Sequence, residues 1–256
     1  HCQIRWFYFW ASIGEAVALS TTAWFKKHYT WTAPPPEPEC LVFNSDKHVE
    51  VSSVDGFVFR AYNDGQSWNA ILTGAGNGVS DRELTLLLQI GPADETPGLW
   101  RVCVRSPMLF DISAIPAGSE IVSAKMSLYQ TGMIDELFIS AWFYVGIYES
   151  YPASNTVLVK ADYSRFNAVC LTDNPLLLDD ILHNAWNDMT LNEAGVAVLQ
   201  TALDGEGIAK LGIREKTYDA DGAIPPWISQ KYSLWRCASG DSSSFKPKLE
   251  ICFLPP

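Results

Sequence analysis

Residues with catalytic or metal-binding chemistry occur in this sequence, but their spacing matches none of the patterns that such chemistry needs. A zinc site draws on histidine and cysteine at short, regular spacings. The four histidines are instead scattered along the chain: His1, His28, His48 and His183. No Gly-x-Ser-x-Gly elbow is present for a serine hydrolase, and the glycine-rich run 74–78 lacks the Gly-Lys-Ser or Gly-Lys-Thr of a phosphate loop. We therefore predict no catalytic residue, no metal site and no enzyme.

One acidic stretch partly matches a calcium loop. Asp219, Asp221 and Gly222 fit its beginning, but Ile-Pro-Pro follows where further oxygen ligands and a distal glutamate are needed. Calcium could still be held by oxygen ligands from several separate loops. The alternative is a solvated turn. We predict no cofactor, with calcium as the open alternative.

Aromatic side chains are the better candidates for binding. Trp68, Trp100 and Trp227 lie in or beside predicted loops, as do Trp186 and Trp235, and aromatic faces there could stack on sugar rings or anchor a protein interface. The first three are our candidates for ligand stacking. Each could equally pack in the core, as large apolar residues usually do. A carbohydrate-binding or adhesive module that uses these three residues is thus one functional hypothesis.

The first 40 residues differ from the rest of the chain, so we divide it into an N-terminal arm (1–40) and a main domain (41–256). The arm ends in a proline-rich linker at 34–38, which is typical of a stiff extended segment. Its aromatic side chains suit a strand: Trp6, Phe7, Tyr8, Phe9, Trp10, Trp24 and Phe25. The arm either adds a strand to its own domain or pairs with the open edge of a neighbouring copy.

Composition narrows the class further. The chain has 256 residues, 48% of them hydrophobic, and a formal net charge of -11. This negative charge repels phosphate backbones, so nucleic acid is not expected as a partner, and no apolar stretch is long enough to predict a membrane-spanning helix. The six cysteines contain no CxxC pair and could form disulfides or buried thiols. Cys2 with Cys40 is the first pair to test.

Strand-like runs dominate the main domain. One of them alternates clearly, with Val122, Ala124, Met126 and Leu128 on one face and polar residues between them. One short helix is predicted near 192–203 from its cap residues and apolar spacing. The predicted strands cover 57–62, 84–90, 101–110, 121–130, 139–148, 207–214, 232–237 and 246–253. Together they predict an all-β antiparallel sandwich of jelly-roll type.

Several phrases of the sequence form a known pattern. In the stretch 105–129, Arg105 precedes an apolar strand that ends in Phe110-Asp111, and the turn Ser113-Ala-Ile-Pro-Ala-Gly118 follows. Further phrases occur in order at 152–156, 161–164, 186–195, 210–215 and 246–251. Residues 54–253 thus resemble the DNRLRE-type β-sandwich domains of bacterial surface proteins and phage or virion proteins. The resemblance implies an extracellular or virion module and supplies no catalytic residue.

The sequence leads to one principal functional hypothesis. We expect a structural subunit of an extracellular filament or virion appendage, located outside the cell, on its surface or in a virion. Its expected partners are copies of itself, joined by sandwich contacts, with strand donation from the arm as a further candidate contact. Cell-surface glycans are the expected partners under the carbohydrate-binding alternative.

Overall fold

Alternating apolar and polar residues form the strands of this chain. A computed structural model describes residues 37–45, 54–81 and 84–256. Within these residues there are two α-helices, α1 (Trp68–Thr73) and α2 (Glu193–Asp204). Two 3-10 helical turns lie at Lys160–Ser164 and Leu178–Asp180, and one π-helical turn lies at Lys216–Ala220. The strands are β1 (Glu39–Asn44), β2 (Phe57–Gln66), β3 (Gly78–Ser80), β4 (Thr85–Ile90), β5 (Trp100–Asp111), β6 (Glu120–Asp135), β7 (Tyr144–Ser150), β8 (Phe166–Cys170), β9 (Leu176–Leu177), β10 (Trp186–Thr190), β11 (Ile208–Glu215), β12 (Ser233–Ala238) and β13 (Lys248–Leu254).

Two long strands, β5 and β6, connect the layers of the sheet. The first half of β6 pairs with β13 and β10, and its second half pairs with β12. Likewise, β5 pairs first with β2 and β4 and then with β11. The main path runs β1-β13-β6-β12-β4-β5-β11-β7-β8, with antiparallel pairing between these strands. The predicted all-β antiparallel sandwich is confirmed.

The core lies between the layers and is filled by the inward-facing residues of the central strands, as binary alternation requires. Its fully buried side chains include Leu88, Phe110, Met126, Ile147, Leu211 and Trp235. No helix in the described part of the chain is long and apolar enough to cross a membrane.

The predicted helix is confirmed as α2. Asn192 caps its first turn, since the side-chain Oδ1 accepts the backbone N–H of Gly195 at 3.0 Å. On the inner face of the same helix, the side chain of Leu199 is fully buried. The short helix α1 was not predicted, because six residues are too few to show a helical period.

The alternation predicted for β6 holds for Ala124, Met126 and Leu128, which are buried, but it is wrong for Val122, which is 40% exposed. The register explains the difference. Cys252 pairs with Ser123 whereas Phe253 pairs with Ile121, so β6 has one extra residue at this point. Such a bulge reverses the faces beyond it, and Ile121 is buried in place of Val122.

The strand predicted at 139–148 begins only at Tyr144. Before it, the carboxylate of Asp135 accepts the backbone N–H groups of Ile139 and Ser140, both at 3.0 Å. The N–H groups of Trp142 and Phe143 both donate to the carbonyl of Ile139. Because these local bonds occupy the backbone groups that a sheet would need, the segment forms a turn.

The turn between β5 and β6 follows the prediction. Asp111 Oδ1 accepts the backbone N–H of Ser113 at 3.0 Å, and Gly118 has a φ of 86°, a conformation that favours glycine. The predicted cysteine pairing is wrong. Cys40 of β1 forms a disulfide with Cys252 of β13, whose backbone register places the two residues opposite each other.

Candidate functional site

A buried ionic cluster joins several of the sequence phrases described above. Asp219 is 3% exposed and lies between two buried arginines. Arg105 donates from Nη2 to Asp219 Oδ1 at 2.6 Å and from Nε to Oδ2 at 2.9 Å. Arg214 donates from Nε to Oδ2 at 3.0 Å and from Nη2 to Oδ1 at 3.1 Å. Asp219 is therefore not part of a solvated turn, and two arginines occupy the oxygens that calcium would need.

The same cluster includes an aromatic ring and a helical turn. The Arg105 guanidinium carbon lies 4.0 Å from the centre of the Tyr163 ring, and Arg105 Nη1 donates to the Tyr163 carbonyl. The Tyr163 hydroxyl donates to the carbonyl of Ile71 at 3.0 Å. One arginine thus links β5 to the 160–164 turn, which itself bonds to α1. This arrangement joins distant parts of the chain.

Electrostatics fix the charge states in the cluster. Burial alone would raise the pKa of Asp219, but the charges and hydrogen bonds of Arg105 and Arg214 outweigh it and lower this pKa to about 2. Burial raises the pKa of the adjacent Glu215 to about 8. Four backbone N–H groups oppose that rise by donating to the Glu215 carboxyl: those of Tyr144, Thr217, Tyr218 and Asp219.

Two of the free thiols in the described residues are poor candidates for chemistry. Burial raises the pKa of Cys103 and also that of Cys237, and both residues are inaccessible to solvent. A thiol must ionise and be reached in order to react. Among the described residues, no group of three or more His, Cys, Asp or Glu side chains is arranged to hold a metal ion.

The edge strand β1 forms the first candidate interaction surface. It pairs with β13 on one side, and no strand of the described part pairs with its other side. The Ser45 N–H donates to the Pro247 carbonyl, and hydrogen-bonded pairs alternate along an antiparallel ladder. The backbone N–H and C=O groups of Leu41 and Phe43 therefore point toward β13 and form the ladder. The N–H and C=O groups of Val42 point away from β13, toward the open edge.

Apolar surface lies on both faces of this edge. Val42 is 54% exposed and Leu41 is 37% exposed. A groove of about 450 Å³ borders the strand. It is lined by Leu41, Val42, Phe43, Asn44, Asp111, Ala114 and Lys246. We refer to it as the edge groove. An open strand edge with apolar side chains is a template for pairing with another strand.

A second groove, of about 360 Å³, lies on the outer face of the layer formed by β1, β13, β6 and β10. We refer to it as the outer groove. Its lining residues are Val42, Lys125, Ser127, Trp186, Asp188, Lys248 and Glu250. Lys125 lies 3.6 Å from Asp188 and 3.5 Å from Glu250, so charges of both signs meet here on side chains that are at least partly exposed.

Trp186 lines the outer groove, and two further aromatic rings pack against it. Phe245 stacks on Tyr129 with the ring centres 3.9 Å apart, and Trp186 meets Tyr129 edge-on at 5.5 Å. The ammonium group of Lys248 lies 3.9 Å from the centre of the Trp186 ring. An aromatic surface beside paired charges can bind a ligand that is apolar on one face and rich in hydrogen-bonding groups on its edge.

The structure places the tryptophans predicted for ligand stacking elsewhere. Trp68 and Trp100 are 2% and 4% exposed and contact each other edge-on in the core, with ring centres 5.9 Å apart. Trp68 Nε1 donates to the Tyr218 carbonyl at 2.9 Å. Trp227 is half-buried and packs against the core. None of the three lines either groove.

The residues predicted for the assembly interface lie outside the described residues: Trp6, Phe7, Tyr8, Phe9, Trp10, Trp24 and Phe25. Val42, Lys125 and Asp188 were not proposed as site residues from the sequence. Their proximity depends on the pairing of four strands, which composition and spacing do not reveal. The exposed apolar pair Leu41 and Val42 next to a cysteine was the available signal for an edge strand.

The fold and its surfaces define an antiparallel β-sandwich in which β1 presents an open strand edge with exposed apolar side chains. No family model matches this chain, and no curated protein matches it.

Proposed function

We propose that this protein is a structural subunit of an extracellular filament or virion appendage, in which the N-terminal arm of one copy adds a strand to the open edge of β1 in the next. The proposal is based on the backbone N–H and C=O groups of Val42, which point away from β13 toward the open edge. An added strand would place alternate side chains toward the edge groove and toward the outer face. Because both sides of β1 expose apolar residues, an arm that is aromatic at consecutive positions suits this edge.

The disulfide supports a location outside the cytoplasm, on a cell surface or in a virion. Disulfides form and persist in oxidising compartments, and Cys40–Cys252 joins strands 212 residues apart in sequence. The resemblance of residues 54–253 to DNRLRE-type domains, proposed from the sequence phrases, points to the same compartment. The cluster around Asp219 joins three of these phrases, since it contains Arg105, Tyr163 and Arg214.

Replacing Val42 with proline tests strand addition at this edge. Proline removes the outward N–H of Val42 and is tolerated on an edge strand when that N–H does not belong to the inner ladder. We expect Val42→Pro to abolish assembly, viewed by electron microscopy and light scattering, without changing the thermal unfolding midpoint of the subunit. Val42→Thr, which keeps the N–H, should assemble like the wild type.

A truncated chain completes this test. Deleting residues 1–36 removes all the aromatic residues of the arm but keeps β1, which begins at Glu39, and should abolish assembly as Val42→Pro does. Assembly that persists in both variants would exclude strand donation. Loss of assembly in the truncated chain alone would place the acceptor edge elsewhere.

Recognition of neutral sugars is a second candidate function, and the outer groove favours it. Sugar rings present an apolar face and a rim of hydroxyl groups. Trp186 and Phe245 could contact such a face, while Lys125, Asp188 and Glu250 could donate to and accept from the hydroxyls.

We expect Trp186→Ala to weaken retention on cellulose, xylan or chitin by about tenfold or more, because a tryptophan contributes a large contact area. Affinity electrophoresis measures the change. Trp142→Ala is the matched control, since Trp142 is 58% exposed but does not line the outer groove. Equal retention of wild type and Trp186→Ala would remove the outer groove as the sugar site.

A further inference from the structure

Strand β1 is attached to the sandwich by little side-chain burial. Of its six residues, only Phe43 is buried. What holds it otherwise is the backbone ladder to β13 and the disulfide between Cys40 and Cys252. Each of these interactions depends on β13 and could be made equally well with β13 of another copy.

The chain on either side of β1 has the length to permit such an exchange. Before it lies the proline-rich stretch 34–38. After it, residues 46–53 connect Ser45 to Val54, which is buried. Nine residue steps can span up to about 30 Å when extended. The strand can therefore reach β13 of an adjacent copy while Val54 keeps its place in its own core.

We propose that β1 exchanges between adjacent copies of this chain and that the Cys40–Cys252 disulfide then closes between them, which locks an assembled polymer covalently. This inference rests on the proposed function, since it needs copies held side by side. The register of the β1–β13 ladder fixes which residues meet, so Cys40 of one copy lies opposite Cys252 of the next.

Concentration decides between closure within one chain and closure between chains. Strand β1 makes the same ladder and the same disulfide in both arrangements, so the balance is set by the effective concentration of the tethered strand. Across a linker of a few residues the effective concentration is in the millimolar range, on the order of 1 mM. Closure within the chain dominates in dilute solution. Within a polymer, β13 of the neighbouring copy is held about as close to β1 as the β13 of its own chain. Closure between chains then competes with closure within the chain.

The exchange requires no net oxidation. A small thiolate of the glutathione class attacks Cys252 sulfur in the closed chain, which breaks the disulfide, forms a mixed disulfide at Cys252 and frees the Cys40 thiolate. Cys40 of the adjacent copy, released from its own disulfide by a second small thiolate in the same way, then attacks the Cys252 sulfur of that mixed disulfide. The new bond joins the two chains and expels the small thiolate, which is regenerated unchanged.

Two complementary variants test this step. One chain carries Cys40→Ser and an affinity tag, and the other carries Cys252→Ser, with Cys2→Ser in both to remove the terminal thiol. Neither chain can close its own disulfide. The two are mixed in a buffer of reduced and oxidised glutathione, where oxidised glutathione accepts the two electrons as the new bond forms. We expect a heterodimer on a non-reducing gel that disappears on reduction, with residues 40 and 252 joined in the cross-linked peptide by mass spectrometry.

Each chain incubated alone is the control, since any dimer that it forms through its remaining cysteines gives the background on the gel. A mixture without a 40–252 cross-link above that background would overturn the exchange, whether or not the wild type forms polymers. The proposed function is judged separately. If wild-type polymers are imaged but run as monomers on non-reducing gels, assembly stands and covalent locking fails. If the cross-link forms but no polymer is imaged, exchange stands and the proposed function fails.

Discussion

Replacing Asp219 with asparagine is expected to lower the free energy of unfolding by about 3–5 kcal/mol, because it leaves two buried arginines without their counter-ion. The substitution keeps the shape of the side chain and removes its charge. Arg105 and Arg214 are 4% and 7% exposed, so water cannot readily replace the lost carboxylate. The chain would then have to hold two like charges close together in its interior. Urea denaturation followed by tryptophan fluorescence measures the change.

Asp221→Asn is the matched control. It lies two residues from Asp219 and pairs with Lys216 on the surface, where the two side chains are 53% and 36% exposed. Exposed ion pairs contribute about 0–1 kcal/mol, so this variant should unfold close to the wild type. Similar losses for both variants would mean that the cluster around Asp219 does not depend on its charge.

The same cluster gives the protein a pH dependence. The pKa of Asp219 is lowered to about 2 in the folded state from 3.8. Its stabilisation is therefore present above pH 3.8 and is lost as the pH falls through 2. The pKa of Glu215 is raised to about 8 from 4.5, so its contribution is present below pH 4.5 and is lost as the pH rises through 8. We expect the acid-side loss of stability to be reduced in Asp219→Asn.

The sequence predicted local features of the fold better than its long-range pairing. The cap at Asn192 and the turn at Gly118 depend on near neighbours, and both are confirmed. The burial of Asp219 could not be inferred, because its partner Arg105 lies 114 residues away. Val122 is exposed owing to a bulge that is defined by pairing with β13. Register between distant strands is decided by the assembled core and not by spacing in one strand.

The candidate surfaces follow the same rule. Aromatic residues were expected to bind ligands or partners, but sequence alone does not separate Trp68 and Trp100, which fill the core, from Trp186, which lines a groove. All three stand at the start of an element, a position that is compatible with either environment. The outer groove exists only because β6, β10 and β13 bring their outward-facing side chains together.

Removing the disulfide with Cys40→Ser and Cys252→Ser together is expected to cost about 2–4 kcal/mol, since it releases a long loop in the unfolded chain. The loss of unfolding free energy is limited by how strongly β1 alone is held to the sandwich. Because β1 buries only Phe43, the strand can detach while the rest of the sandwich stays folded, and the cost cannot exceed the free energy that docks β1. The first sign should be faster amide exchange at Leu41 and Phe43, whose N–H groups face β13.

Hydrogen exchange with mass spectrometry on peptides covering β1, together with urea denaturation, separates the local effect from the global one. Cys170→Ser is the matched control, because Cys170 is a half-buried free thiol on the edge strand β8. It should leave exchange in β1 unchanged. Unaltered exchange at Leu41 and Phe43 in the double variant would show that the backbone ladder holds β1 by itself. In that case, breaking the disulfide would not loosen β1. For exchange between copies, the β1–β13 ladder would have to open by itself, and the disulfide could close between the copies only after β1 had moved.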